Sequence, residues 1–183
     1  MRYTYYFKEI ARASKSRRLV FFVGAGVSRL SGYPSWEELI SVMHEELYRK
    51  PAPKELSSEE CLRIAQVFYD SMGKAAYDQV LEREFWVQYE PNSIHWKMLA
   101  LNPTHFITTN YDSLIERVCA QRGRNFKVIS SDRDVANVHS PGYILKIHGD
   151  FKDGFDGDSI VLKENDYLNY ELQYPLVINL VKT

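Results

Sequence analysis

Residues 19–28, LVFFVGAGVS, decide the fold. The first five are apolar, rich in aromatic and β-branched side chains, and end at a glycine. That pattern predicts a strand buried on both faces, as in a parallel sheet between layers of helix. Gly24-Ala25-Gly26 then breaks the strand. Glycines at a strand-to-helix turn let the main chain approach a pyrophosphate, and the N–H groups opening the next helix face the anion. A tight turn that merely requires glycine explains the same residues, so this short motif does not decide between them. The usual dinucleotide fingerprint is incomplete. Arg29 stands where its third glycine belongs, and no acidic residue lies in a second strand about 20 residues on to hold a ribose. Residues 36–49 read as helix instead, which disfavours an ordinary dehydrogenase.

Upstream, residues 1–18 read as a helix with Tyr6, Phe7, Ile10 and Ala11 inward and basic residues outward. Lys8 and Glu9 interrupt the apolar stretch that a secretory signal needs. Lys15, Arg17 and Arg18 read as a solvated end. Downstream, Ser35 caps a helix from Trp36 whose inner face is Leu39, Ile40, Met43 and Leu47. After Pro51-Ala52-Pro53, Ser57 with Glu60 matches a capping box, and Leu62, Ala65, Phe68 and Tyr69 follow at helical spacing. Tyr77, Val80, Leu81 and Phe85 mark another helix, and residues 94–100 a short one, so 36–101 reads as an all-helical insertion. From Pro103 the β–α alternation resumes. Strands are predicted at 105–108, 126–129, 143–146 and 159–162. Helices are predicted from Leu114 to near Gly123, at 165–170 and at 176–181. The fold class is α/β, a Rossmann-like parallel sheet flanked by helices.

Composition narrows the function. Lys plus Arg number 23 and Asp plus Glu 24, a formal net charge of −1, which argues against a dedicated nucleic-acid or anionic-membrane binder. No apolar run approaches the ~20 residues of a membrane span. Cys61 and Cys119 are too few for a disulfide framework or a four-cysteine zinc site. Residues 152–158, KDGFDGD, lack the ligand spacing and terminal glutamate of a calcium loop and read as a surface turn. The expectation is a cytoplasmic protein with no metal, no membrane contact and no direct nucleic-acid binding.

Two further motifs also follow predicted strands. Thr108-Thr109-Asn110-Tyr111-Asp112 places polar side chains where open α/β sheets bind ligands, although Asn110 or Asp112 is equally suited to capping the next helix. Lys146-Ile147-His148-Gly149-Asp150 sets an imidazole beside a glycine, where it can reach a ligand and titrate near neutrality. His44, His95, His105 and His139 have no such setting. A parallel sheet would gather the glycine turn, the Asn–Asp pair and the histidine on one edge.

In this order, GAGVS, TTNYD and KIHGDF resemble the signature segments of the Sir2 superfamily, most nearly its bacterial SIR2-like branch. Gly32-Tyr33-Pro34-Ser35-Trp36 resembles the branch's Gly-x-Pro-Ser-Trp segment, and residues 163–167, KENDY, its downstream Asp-Tyr element. The resemblance implies NAD+ as substrate. Gly24, Ala25, Gly26 and Ser28 would hold its phosphates, with Thr109 in the adjoining loop. Asn110 would orient the nicotinamide ribose and a water, Asp112 would help place the carboxamide, and His148 would act as general base or ribose-hydroxyl partner. Trp36 either walls the pocket or anchors its helix in the core. Deacylating members carry a four-cysteine zinc module after the His-Gly motif. No cysteine follows Cys119, so the zinc module is expected to be missing, as in the members that hydrolyse NAD. The family sheet continues past the Asp-Tyr element with a strand and a Gly/Ser loop for the adenosine end. Residues 1–183 are therefore expected to form a C-terminally incomplete SIR2-like domain, or one that a partner chain completes.

The implied reaction is hydrolysis of the nicotinamide–ribose bond, in an antiphage effector that depletes NAD. Such an activity needs control, by homo-oligomerisation, a fused sensor or a regulatory partner. Three other readings stay open: a protein deacylase or ADP-ribosyltransferase using the same pocket, a non-catalytic NAD or ADP-ribose sensor, and an interaction scaffold.

Overall fold

The computed structural model of the chain describes residues 2–136, 142–151 and 154–182. Four parallel strands form one sheet in the order β1-β2-β4-β3: β1 (Val20–Val23), β2 (His105–Thr108), β3 (Lys127–Ile129) and β4 (Tyr143–Lys146). Helices α1 (Arg2–Lys15) and α2 (Ala25–Arg29) flank β1, and α3 (Trp36–Tyr48), α4 (Ser58–Phe85) and α5 (Ser93–Ala100) fill the stretch before β2. After β2 come α6 (Leu114–Gln121) and α7 (Asp132–Val135), and after β4 come α8 (Glu164–Leu168), α9 (Tyr170–Gln173) and α10 (Pro175–Lys182).

Side chains alternate across the sheet and make two unequal faces. On one, Val23, Phe106 and Ile144 pack against Met98 and Leu99 of α5 and Ile115, Val118 and Cys119 of α6, with Phe21 stacked on Phe106. On the other, Leu145 and Ile129 meet Val177 of α10, with Ile107 alongside. This second cover stops short of β1, where Val20 is 44% and Phe22 65% exposed. The reading of residues 19–23 as buried on both faces is thus corrected: β1 lies at an edge of the sheet and is covered on one face.

The helical stretch has its own core. Leu39, Ile40 and Met43 of α3 pack against Cys61, Ile64, Ala65, Phe68, Val80 and Leu81 of α4. Capping boxes fix both helix starts, with Ser35 paired to Glu38 and Ser57 to Glu60. Such a cap stabilises its helix by about 1 kcal/mol. α4 is broken at Gly73 (φ 81°, ψ 165°), so the sequence pattern's two helices survive as two segments of one element.

Two other expectations are corrected. α1 forms, but Tyr6, Phe7, Ile10 and Ala11 face solvent rather than a core, because no described element lies against that stripe. Residues 159–162 do not make a strand. A 3-10 turn at Gly157–Ser159 leads to a single bridge between Ile160 and Gly149, so only one residue pair of the expected strand is laid down. His139, and Lys152 and Asp153 of the 152–158 turn, lie outside the described residues. Among those described, no helix is long and apolar enough to cross a membrane.

Candidate active site

The sheet register places the three motifs side by side. Val23 pairs with Thr108, and Thr108 pairs with Lys146, so the last residues of β1, β2 and β4 form one row. Each motif leaves the sheet from that row, at the carboxyl edge where open α/β sheets bind ligands. The cavity there is about 290 Å³, at the lower end of ligand pockets, which start at roughly 300 Å³. Ala25, Ser28, Trp36, Thr109, Asn110, Asp112 and His148 all line it. The sequence-predicted residues are therefore brought together, apart from Gly24 and Gly26, which belong to the turn itself.

Asn110 joins two motifs. Its Nδ2 donates to Ser28 Oγ at 2.8 Å and to Gly24 O at 3.2 Å. Its main-chain N–H donates to Thr108 Oγ1, which in turn donates to Val23 O. These bonds fix the carboxamide and leave Oδ1 buried with no hydrogen-bond partner. A buried acceptor without a partner costs about 1–3 kcal/mol, so in a cavity wall it favours a ligand hydroxyl or a water.

The glycine turn is open on its Gly26 side. An added Cβ at Gly26 meets no heavy atom within 4 Å, so nothing in the chain's own packing requires a glycine there. The residues present fit a nucleotide: open space over the turn, and an unpaired acceptor beside it.

His148 follows β4 in a turn closed by Gly149. That glycine has φ +87°, and an added Cβ would lie 2.1 Å from Ser159 O, so only glycine serves. Burial lowers the imidazole to about 4, and the Tyr167 ring lies edge-on at 5.4 Å. Tyr167 is held by its neighbour Asp166, whose carboxylate accepts from the N–H groups of Leu162 and Lys163. Ser113 is the N-cap of α6, and Asp112 just before it accepts from Leu114 N through Oδ1 at 3.0 Å, while lining both the main cavity and an adjoining one of about 330 Å³. Trp36 likewise serves both roles proposed for it, packing on the helical core and walling the cavity.

Several wall residues escaped the sequence reading. Tyr33, Phe85, Tyr111 and Tyr167 form an aromatic side to the cavity. Tyr33, Tyr111 and Tyr167 sit inside quoted motifs, so their signal was available. Phe85 carries none, because apolar spacing marks core and pocket alike. Behind the wall, Lys146 is buried among Glu116, Asp150 and the main chain of residues 111 and 112. Among the described residues no three His, Cys, Asp or Glu side chains gather as a metal site.

The sheet, with its cleft at the carboxyl edge of the strands, defines an α/β domain of the Rossmann-like class. More narrowly, residues 104–183 match the family model described as SIR2-like domain. The chain is 54% identical over 176 residues to "Defense-associated sirtuin 2" of Bacillus subtilis, covering 96% of this chain and 18% of that protein. It is 27% identical over 169 residues to "NAD(+) hydrolase ThsA" of Cytobacillus dafuensis, covering 90% of this chain and 32% of that relative. An "NAD-dependent protein deacetylase" of Listeria monocytogenes is 32% identical over 117 residues, covering 61% of this chain and 45% of the relative. The chain thus spans under half the length of each of these three relatives.

Proposed function

We propose that the chain hydrolyses NAD+ to nicotinamide and ADP-ribose, and that it acts in the cytoplasm as an NAD-depleting effector of antiphage defence. One observation carries the reading. Asn110, whose Oδ1 is buried and unpaired, lines one cavity together with the neutral imidazole of His148 and with Ala25 and Ser28 of the glycine-turn motif. Relatives named for NAD+ hydrolysis and for defence support it from outside the structure.

The chemistry suits the residues. The nicotinamide of NAD+ is already a cationic pyridinium, so the C1′–N bond breaks with its electron pair going to the ring nitrogen and no acid is needed. Water then bonds to C1′, and its proton passes to His148 and on to solvent. Two flanking carboxylates, as in ordinary sugar hydrolysis, are unnecessary. An imidazole held near 4 is a weak base, but an oxocarbenium-like carbon demands little base strength. Asn110 positions the ribose hydroxyl or the water through Oδ1, while its Nδ2 stays committed to Ser28 and Gly24. A second copy of the chain, a sensor domain or a partner supplies the control that such an activity requires.

The test is incubation of the chain with NAD+, with nicotinamide and ADP-ribose quantified. His148→Ala and Asn110→Ala are each expected to lower release by about 10²-fold or more with the fold intact. Undiminished release from both variants would falsify the mechanism. The deacetylase relative favours a second reading, in which the same pocket serves acyl transfer. An acyl-lysine peptide added to the same assay separates the two: consumption of NAD+ only in its presence supports deacylation.

A further inference from the structure

Lys146 is the last residue of β4, and its side chain is 1% exposed. A lysine is almost never buried without partners, and here two partners belong to residues that line the cleft and two to residues that line the adjoining cavity. Nζ donates to Tyr111 O at 2.9 Å and Asp112 O at 2.8 Å, the carbonyls directly after Asn110. It also donates to Asp150 Oδ1 at 2.8 Å, two residues beyond His148, and pairs with Glu116 Oε1 at 3.0 Å on α6. Burial pulls the ammonium's proton affinity down, but Glu116 and Asp150 together reverse that, so it stays charged. Glu116, half-buried, is itself shifted up by desolvation.

A cation at this point is not needed to hold the sheet. β2 and β4 are already joined by their ladder, which Ile147 N extends to Thr108 O. The ammonium acts one step further out, on segments with no ladder of their own. It anchors residues 111 and 112 from behind, and it ties them to the turn that presents His148. Bonds of charged donors are shorter and roughly twice as strong as neutral ones, which suits a part that must set geometry.

We infer that Lys146 is a positioning residue: through the carbonyls of Tyr111 and Asp112 it sets the nicotinamide end of the cleft, and through Asp150 it locks that end to the His148 turn. The inference rests on the NAD reading above and assigns within it a division of labour. The glycine turn on β1 lies outside the ammonium's reach. Ligands held there alone are indifferent to Lys146, and ligands bearing the nicotinamide end are not.

Removing Lys146 alone would strand two carboxylates, so the experiment uses a neutral background. The triple variant Glu116→Gln, Lys146→Met, Asp150→Asn is compared with the wild-type chain in three assays. These are calorimetric affinity for ADP-ribose, affinity for an NAD analogue whose nicotinamide–ribose bond cannot be cleaved, and nicotinamide release from NAD+. ADP-ribose affinity is expected to stay within about threefold. Affinity for the analogue is expected to fall at least about tenfold, and turnover by about 10²-fold, the loss typical of a misplacement of ~1 Å. Lys146→Gln in the same background returns an N–H donor and is expected to recover part of both losses. Equal weakening of both ligands, weakening of neither, no recovery with Gln, or failure of the neutral variants to fold each overturns the proposal. A wild-type chain that separates the two ligands but releases no nicotinamide removes the hydrolase reading and leaves this one standing. One that binds neither ligand removes both.

Discussion

His148 shows how one side chain's surroundings set both chemistry and stability. Only its neutral form accepts a proton. With the imidazole held near 4 by burial, the acid limb of kcat/KM is expected near pH 4, not near the 6.5 of a free imidazole. A pH–rate profile measures this directly, and a limb at 6–7 that vanishes in His148→Gln contradicts it. The stability effect has a definite sign. Between about pH 6.5 and 4 the unfolded chain carries a proton that the folded chain lacks, so stability declines as pH falls through that window, by roughly 3 kcal/mol. Urea unfolding at pH 7 and pH 4.5 is expected to show a decline that is smaller in His148→Gln than in the wild type, the remainder coming from His95 and His105, which burial also lowers. Gly26 gives a second residue-scale test. Because the space beside it is open, Gly26→Val is expected to fold with a penalty below about 1 kcal/mol. It should lose at least about tenfold in NAD+ affinity, and calorimetry with an unchanged affinity would make the turn purely structural. Asn110 and His148 could be singled out in the sequence because each stands beside a strand end and a small or polar neighbour. Lys146 could not: a lysine at a strand end normally reaches water, and its burial depends not only on Asp150 four residues on but on Glu116 and the carbonyls of residues 111 and 112, which only the fold brings near.

Among the elements, α4 does two jobs. Its amphipathic spacing builds the helical core, and its last residue, Phe85, reaches the cleft, stacked with Tyr33 and edge-on to Tyr111. Phe85→Ala is expected to cost about 3 kcal/mol in denaturant unfolding. It should also weaken NAD+ binding by opening the wall between the two cavities. A loss below about 1 kcal/mol would mean that the ring is not part of the packed core. The elements themselves were readable where local rules suffice. Residues 105–108 become β2 as predicted, and Ser35 and Ser57 start their helices. Local rules failed at residues 159–162, where the apolar run Ile160-Val161-Leu162 is buried by α4 and the Gly149 bridge rather than by sheet pairing. They also failed at β1, whose exposure depends on its place in the strand order, a property no five-residue pattern contains.

At the scale of the molecule, the apolar surface is unevenly distributed. The stripe Tyr3, Tyr6, Phe7 and Ile10 on α1 is exposed, as are Val20 and Phe22 on β1. Amphipathic spacing revealed α1 and its stripe, but spacing says that a face is apolar, not that anything in the same chain covers it. Since these side chains contribute little to folding in isolation, the paired change Phe7→Ser and Ile10→Ser is expected to alter the chain's stability by less than about 1 kcal/mol. Thermal unfolding of the dilute protein checks this, and a larger loss would place the stripe in a core after all. Among the described residues no strand pairs with the outer edge of β1, which also bears on handling. A strand with free N–H and C=O groups and greasy side chains in water is a template for further strands. Sulfate and phosphate are excluded from protein surfaces and sharpen the tendency of such surface to hide. Stocks of these 183 residues should therefore cloud sooner in ammonium sulfate than in sodium chloride of equal ionic strength, and a Phe22→Lys exchange should keep them clear.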